Sequence, residues 1–465
     1  MKKRFVIFFS VFLTGCVTIS QKPYEKIDFS EIKKMEKPSF VKEKLDNGIT
    51  IFLMEDHSLP LINFKVLIRT GKIYEPVEKT GLGEITFEVM RTGGAGERTG
   101  DEIDIFLENI GAVISTGIGV DTGWVEGYCH RKNFFSVFNT FKDILTTPSF
   151  EPKKIELAKI RKKTEISRRN DEISEIADRE LKRLIYGKDT PYGRIPEYET
   201  IDNITRQDIM DFYNQSVYPE GIILGIWGDF KTTEMMEMVK RSLGRWQKEK
   251  PSQKEKPPVE FPQDGSFNVI KKEDATQSVI VMGHIGLQRN NPDYPAAIVL
   301  SRALGAGWNS RFSRILRQEK GLAYEVWAVF AGEFDRPGLF IARTQTRTDR
   351  TMEAVQLMKE EITRIKEGIN KEELDVAKEG IINSEVFWSD TKDEIINRLL
   401  TYEYYGYPYD YPEKLIEAVK SVSEEDIKRV AEKYLFPERL TVLVVGNPES
   451  FEKALPPDTQ VINIK

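Results

Sequence analysis

Cysteine is almost missing from this chain: Cys16 and Cys129 are the two in 465 residues. Disulfides are therefore excluded as a framework, and stability has to come from packing, which a chain this long can supply. Cys129 lies in the alternating run Trp124-Val125-Glu126-Gly127-Tyr128-Cys129-His130 and reads as a buried, inert thiol. Histidine is nearly as scarce. His57, His130 and His284 are scattered, form no metal-ligand spacing, and each reads as a surface or strand-end residue. An excess of positive charge is also lacking, with 68 Lys and Arg against 74 Asp and Glu for a net charge of −6. That balance excludes a nucleic-acid partner, because phosphate binding needs concentrated cations. Gly93-Gly94-Ala95-Gly96 and Gly305-Ala306-Gly307 lack the following Lys-Ser/Thr of a phosphate loop.

What is present describes an ordinary globular protein of more than one domain, 40% hydrophobic and 31% charged. The first 15 residues are read as a targeting segment and set aside from the fold. Lys2, Lys3 and Arg4 precede a short apolar run, Phe5 to Leu13, too short to span a bilayer. Leu13-Thr14-Gly15-Cys16 resembles the bacterial lipoprotein box, which implies lipidation of Cys16 after cleavage. A plain secretory signal with an accidental cysteine is the alternative. Removing the three cations takes the net charge from −6 to −9. Residues 16–40 then form a tether. Val17, where an aspartate would argue for inner-membrane retention, points to a lipid anchor in the outer membrane, facing the periplasm of a bacterial cell envelope.

Residues 247–265 read as a linker between two domains, 41–246 and 266–465. The segment is charged, poor in core-forming residues, and carries Pro251, Pro257 and Pro258. The two domains are related. Residues 201–230 and 419–448 align without a gap, pairing Asp208 with Asp426, Ile209 with Ile427, Pro219 with Pro437 and Gly228 with Gly446. Each has a capping Thr205 or Ser423, a helix of apolar periodicity, a proline, then a β-rich run. Further strands are expected near 49–54, 61–69, 112–129, 278–284, 324–331 and 338–346. Helices are expected at 81–91, 101–109, 132–145, 153–186, 294–304, 310–318, 351–367, 371–390 and 392–405. This pattern predicts an α+β fold of two homologous domains, each with helices packed on one face of a mainly antiparallel sheet.

Several segments resemble the M16 zinc peptidases, the insulinase, pitrilysin and mitochondrial-processing-peptidase-like family. Leu45-Asp46-Asn47-Gly48-Ile49-Thr50 is similar to the family's opening strand turn. Arg69-Thr70-Gly71 with Tyr74-Glu75-Pro76 resembles the approach to its metal helix, and Pro191-Tyr192-Gly193-Arg194 its mid-domain motif. Leu316 to Tyr324 (LRQEKGLAY) is close to its second-domain signature. The stretch from Gly81 to Met90 aligns with the helix bearing His-x-x-Glu-His. Here Glu84 and Glu88 stand at the two histidine positions and Phe87 at the catalytic glutamate. Glu165, 77 residues beyond Glu88, stands at the downstream ligand position.

The resemblance implies a chain that binds no cofactor of its own. An imidazole pair one helical turn apart is what holds Zn²⁺ in the family, and it is gone. Three carboxylates at 84, 88 and 165 would suit a hard cation better than zinc, and Phe87 supplies no base. By contrast Arg317 and Tyr324 match an Arg/Tyr pair that, in this family, reaches the substrate at the zinc site. Gly111, Ala112, Val113 and Ile114 resemble the start of its substrate-side edge strand; an edge merely covered by a neighbour is the alternative. The family includes two-chain enzymes in which one subunit holds zinc and the other the Arg/Tyr pair. The implied role is a non-zinc subunit paired with a zinc-bearing homologue as a heterodimer, closing a clamshell over unfolded peptides. A peptide-binding or scaffold protein of the envelope, with no part in hydrolysis, is the other reading.

Overall fold

Two six-stranded sheets with one strand order are the frame of the molecule. The computed structural model describes residues 39–252, 255–260, 265–387 and 391–464. Cys16, the leader and all but the last two tether residues lie outside them. The first sheet uses β1 (Val41–Lys44), β2 (Thr50–Glu55), β3 (Leu61–Ile68), β4 (Val113–Ile118), β5 (Gly123–His130) and β6 (Ile222–Gly228). Its order is β1-β2-β6-β3-β5-β4, with only β2 and β6 parallel. Among and after these strands come α1 (Leu82–Thr92), α2 (Gly100–Ile110), α3 (Phe134–Thr146), α4 (Pro152–Arg168), α5 (Ile173–Tyr186), α6 (Tyr198–Asp202), α7 (Arg206–Ser216) and α8 (Thr232–Leu243).

The second half repeats the plan. β7 (Phe267–Lys271), β8 (Gln277–Ile285), β9 (Val326–Ala331), β10 (Leu339–Arg347), β11 (Thr441–Gly446) and β12 (Gln460–Val461) run in the order β12-β7-β11-β8-β10-β9. Its helices are α9 (Tyr294–Leu304), α10 (Thr351–Arg364), α11 (Lys371–Phe387), α12 (Lys392–Tyr405), α13 (Tyr411–Ser421) and α14 (Glu424–Tyr434), with a π-helix at Ser313–Glu319. Without the outer β1 and β12, the two orders coincide strand for strand, so the duplication seen in one helix-turn-strand unit extends to the whole sheet. In both copies a capping box opens the aligned helix. The side chains of Thr205 and Ser423 accept from the Asp208 and Asp426 amides, and each aspartate accepts from the cap residue's own N–H.

Helices cover both faces of each sheet, not one as the sequence pattern suggested. Ile51, Leu53, Phe64 and Val66 face their own half's helices. Phe52, Met54, Ile223 and Trp227 point the other way, against Ile396, Leu399, Leu400 and Tyr404 of α12 from the second half. Reciprocally, Ile176, Ala177, Leu181 and Ile185 of α5 pack on Ile270, Val279, Val281 and Leu443 of the second sheet. Each half lends a helix to the other. Gly225 makes room for this, since a Cβ there would sit 3.0 Å from both Ile396 and Leu400. A fully buried Leu or Ile contributes about 1.5–3 kcal/mol, so the exchange binds the halves far more firmly than a linker could.

The exchange also explains why the expected helix over 153–186 is two helices. The chain breaks at Asn170-Asp171, whose short polar side chains favour turns, and the Arg179 guanidinium donates to the Arg169 carbonyl and Asn170 Oδ1 across the break. The expected strand over 112–129 is likewise a hairpin, closed by Gly119 N–H on the Thr122 carbonyl at 2.7 Å. The linker is strapped down. Lys256 pairs with Asp335 and lies 3.5 Å from Asp121, and the Tyr192 hydroxyl donates to the Pro257 carbonyl at 2.6 Å. No helix among the described residues is long and apolar enough to cross a membrane.

Candidate functional site

The helix α1 begins at Gly81, whose left-handed backbone (φ 104°) turns the chain into it. Its free amides are met by a buried carboxylate. Glu75 accepts from the N–H of Gly81 at 3.0 Å and of Gly83 at 2.7 Å, where the helix dipole favours negative charge. A Cβ on Gly83 would come within 2.8 Å of Glu75 Oε1, so the glycine admits this contact. Burial nevertheless dominates the two amide bonds and pushes the Glu75 carboxyl up to about 7.

That shift has a stability consequence of definite sign. The folded state holds the proton more tightly than the unfolded chain between pH 4.5 and about 7. Stability from this group is thus full below the ordinary carboxyl pKa and lost as pH rises through 7. Over that window the loss amounts to roughly 3 kcal/mol. In Glu75→Gln the slope of urea-unfolding stability between pH 5 and 7.5 is expected to flatten. An unchanged slope would show that another group carries it.

Along α1, Phe87 is fully buried. Its ring lies against Gly123, where a Cβ would be 2.5 Å from the ring Cζ, so there is no room for a side chain at 123 while Phe87 is in place. Glu84 and Glu88 face α4, which supplies Arg161, Lys162 and Glu165. The Lys162 ammonium bridges Glu84 Oε2 at 2.7 Å and Glu165 Oε2 at 2.5 Å. Lys72 holds the other Glu84 oxygen at 2.8 Å, and Arg161 Nε holds Glu88 at 2.7 Å with a second bond from Nη2. Three carboxylates meet three cations, and the cluster is neutral. Burial pushes the Glu84 carboxyl up, but Lys72 and Lys162 outweigh it and hold it below its ordinary value. Burial pulls Lys162 down, and Glu84 and Glu165 more than restore it. An ammonium so held does not give up its proton to make way for a metal.

Zinc does not fit these residues. Its ligands would be carboxylates already engaged by Lys and Arg, with no imidazole and with an aromatic ring in place of the base. Among the described residues no three His, Cys, Asp or Glu side chains are grouped to hold a metal. The histidines lie apart. His57 is exposed and bonded to Asp229 at 2.7 Å, and His130 Nδ1 accepts from the Lys132 amide at 3.2 Å. His284 is buried, stacked on Phe340, and held neutral by burial at a pKa of about 4. Cys129 is buried and its thiol is pushed up to about 12 by burial, as befits an inert core residue.

A groove of about 540 Å³ runs between α1 and the edge strand β4, lined by Glu84, Glu88, Arg91, Asp104, residues 114–118 and Trp124. Glu84 and Glu88 of the carboxylate cluster and the sheet edge therefore share one surface. Of the expected edge residues, Ile114 lines this groove. Its side chain is buried and its carbonyl accepts from Arg91 Nε at 3.0 Å. Gly111 is the left-handed C-cap of α2, Ala112 is buried, and Val113 is half exposed.

Arg317 and Tyr324 stand in the other half, with no hydrogen bond, ion pair or ring contact to the carboxylate cluster among the described residues. Arg317 is on the π-helix, where Lys320 N–H reaches the Ile315 carbonyl at 3.0 Å. Helices of this kind recur at functional sites. Its guanidinium lies 4.1 Å from the centre of the Trp308 ring and 5.1 Å from that of Tyr324. Tyr324 is 86% exposed and Trp308 63%. Sequence reasoning gave Trp308 no role. The missed signal was a large aromatic in a glycine-flanked turn, where nothing buries it.

Two family models match the chain. The model described as insulinase (peptidase family M16) matches residues 50–194, and that described as peptidase M16 inactive domain matches residues 203–381. An uncharacterized zinc protease of Rickettsia felis is 23% identical over 420 residues, 88% of this chain and 98% of its own. A non-peptidase homolog from Helicobacter pylori is 21% identical over 404 residues, 86% and 92% of the two chains. The crystal structure of a peptidase M16 inactive domain from Pseudomonas fluorescens superposes with a TM-score of 0.77 at 18% identity, covering 88% of this chain and 98% of that one. At that identity the likeness speaks for the fold alone.

Proposed function

The chain has the two-domain M16 (insulinase-like) metallopeptidase fold, and from that premise we propose that it is the non-zinc subunit of a two-chain peptidase. In this reading a zinc-bearing homologue supplies the metal, this chain closes with it over an unfolded peptide, and Arg317 and Tyr324 serve the partner's site. The observation that carries it is the contrast between the two signatures. The carboxylates at 84, 88 and 165 are locked to Lys72, Arg161 and Lys162, whereas Tyr324 stands out in solvent with Arg317 stacked behind it. A phenol and a guanidinium can donate to a scissile carbonyl and its oxyanion, work that needs no metal in the same chain.

Co-expression with the zinc-bearing homologue tests this. Arg317→Ala or Tyr324→Phe is expected to lower joint peptidase activity on the order of 10²-fold, the cost of losing one oxyanion donor, with assembly unchanged by gel filtration. Undiminished activity in both variants would remove the catalytic role. It would favour a second reading, a peptide-holding envelope protein with no part in hydrolysis, for which the groove along β4 is the supporting feature. In either case we place the protein on the periplasmic side of the outer membrane, held by lipid on Cys16. Cys16→Ala is then expected to move it from the membrane to the soluble fraction, and retention in the membrane would contradict the anchor.

A further inference from the structure

A second cleft, of about 420 Å³, opens in the other half between the turn at Gly307–Ser310 and the first turns of α11. Its volume is that of a small-ligand site. The chemistry of its wall is specific. Arg311 is spent, because Glu373 takes it bidentately at 2.7 and 2.9 Å and the Gly368 carbonyl takes it at 2.9 Å. Arg314 is exposed, 3.9 Å from Glu319. Arg302 is different. It is half-buried and has no hydrogen-bond or ion-pair partner among the described residues. The Nε–Nη2 edge of its guanidinium faces Gly380, where a Cβ would be 2.8 Å from both nitrogens, and a Cβ at Gly307 would be 3.5 Å from Nε, which leaves the Nη1 side for a ligand. Any side chain at 380 would displace it. Beside it the wall is apolar, formed by Ala303, Ala377, the 41%-exposed Val376 and the exposed Trp308.

An unpartnered guanidinium beside an apolar wall selects an anion attached to an apolar group. A planar carboxylate matches the fork of Arg bidentately. Glu372, in the same wall, disfavours a dianion such as phosphate, while the Glu373 charge is met by Arg311. We propose that this cleft captures the free C-terminal carboxylate of a peptide, Arg302 pairing with the carboxylate and Trp308 and Val376 receiving the last side chain. The proposal rests on the peptide-holding part of the function above and adds a polarity to it: the C-terminal end of the bound peptide is anchored in the second half.

The test is binding of the full chain to N-terminally labelled peptides ending in Leu or Phe, each as free acid and as amide. For the native chain the free acid is expected to bind about 10- to 100-fold more tightly, the worth of one charge-assisted pair. Arg302→Met is expected to abolish that difference while leaving amide binding unchanged, and Arg302→Lys to keep part of it; melting temperatures check that both fold. Equal affinity of acid and amide for the native chain, or an equal loss of both in Arg302→Met, would overturn the assignment. So would full displacement of the acid by millimolar inorganic phosphate, which would mark a general anion site. Tyr324→Phe separates the two proposals, because it is expected to leave the free-acid preference intact even where it ends assistance to a partner. Absence of binding by either peptide form would end both this proposal and the peptide reading beneath it.

Discussion

A chain carrying Glu84→His, Phe87→Glu and Glu88→His together is expected to lose stability and to gain no zinc peptidase. The motif would be restored in letters, but its surroundings would not accept it. Phe87 is fully enclosed, with Gly123 shaped to its ring. Removing a buried phenylalanine side chain costs about 3–5 kcal/mol, and putting an unpaired carboxylate in its place adds several kcal/mol more. Phe87→Glu alone therefore ranks with the most damaging single changes a domain can carry. The two histidines fail for another reason. Replacing Glu84 and Glu88 strands Lys72, Arg161 and Lys162 around the intended metal, leaving Glu165 as the one carboxylate against three cations. Urea unfolding and zinc calorimetry check both halves of the expectation. A native-like midpoint together with tight one-to-one zinc would show that the helix had kept its old site in working order.

The alignment of positions 84, 87 and 88 with the zinc-motif helix is a reading from the sequence alone, resting on the order of the M16-like segments around them. Their surroundings in the fold were not legible there. No sequence pattern pairs Lys162 with both Glu84 and Glu165, since that contact depends on α4 lying against α1. The same limit applies to the sheets. The repeat and its capping boxes were readable from Thr205 and Ser423, because caps are local chemistry. The exchange of α5 and α12 was not, because a helix with one apolar face does not say whose sheet it covers. Runs such as Thr50–Glu55, buried on both faces, held the clue: strands covered on one side alternate, and these do not. Trp308 and Arg302 went unassigned for a third reason. Their meaning lies in what fails to cover them, and that is a property of the assembled surface.

The exchange joins the halves on both sheets, and the segment Tyr402 to Tyr411 adds a junction between them. Tyr404 packs on the first sheet and donates to the Asp121 carbonyl, while Tyr407 donates to the Phe334 carbonyl at 2.8 Å and Tyr411 to the Arg289 carbonyl at 2.9 Å. The phenols bury apolar area and still satisfy polar backbone across the junction. The hairpin turn between β4 and β5 meets its counterpart between β9 and β10, where Asp121 pairs with Arg336.

Asp121→Ala is expected to loosen that junction and to cost about 1–3 kcal/mol, the penalty for removing one partner of buried charged groups that keep Asp335 as another. Asp121 Oδ2 lies 3.1 Å from Arg336 Nη1 and 3.5 Å from Lys256 Nζ, and accepts from the Tyr405 hydroxyl at 3.0 Å. These contacts join the first half, the second half and the linker in one network. Burial alone would raise the Asp121 carboxyl, but Arg336 and Lys256 hold it below its ordinary value of 3.8. The sign follows from that depression. The carboxylate's contribution is present above pH 3.8 and lost as pH falls through its lower folded value. Acid should therefore open the junction, and with it the strap at Lys256 and Pro257, before it unfolds either sheet. Asp121→Ala is expected to show linker cleavage by a protease at neutral pH that the native chain shows only in acid, and Asp121→Asn, which keeps the shape but not the charge, to fall between them. Equal protection of the linker in all three proteins at pH 7 would mean that the exchanged helices hold the halves closed without this network, and that α5 and α12 are the whole of the clasp.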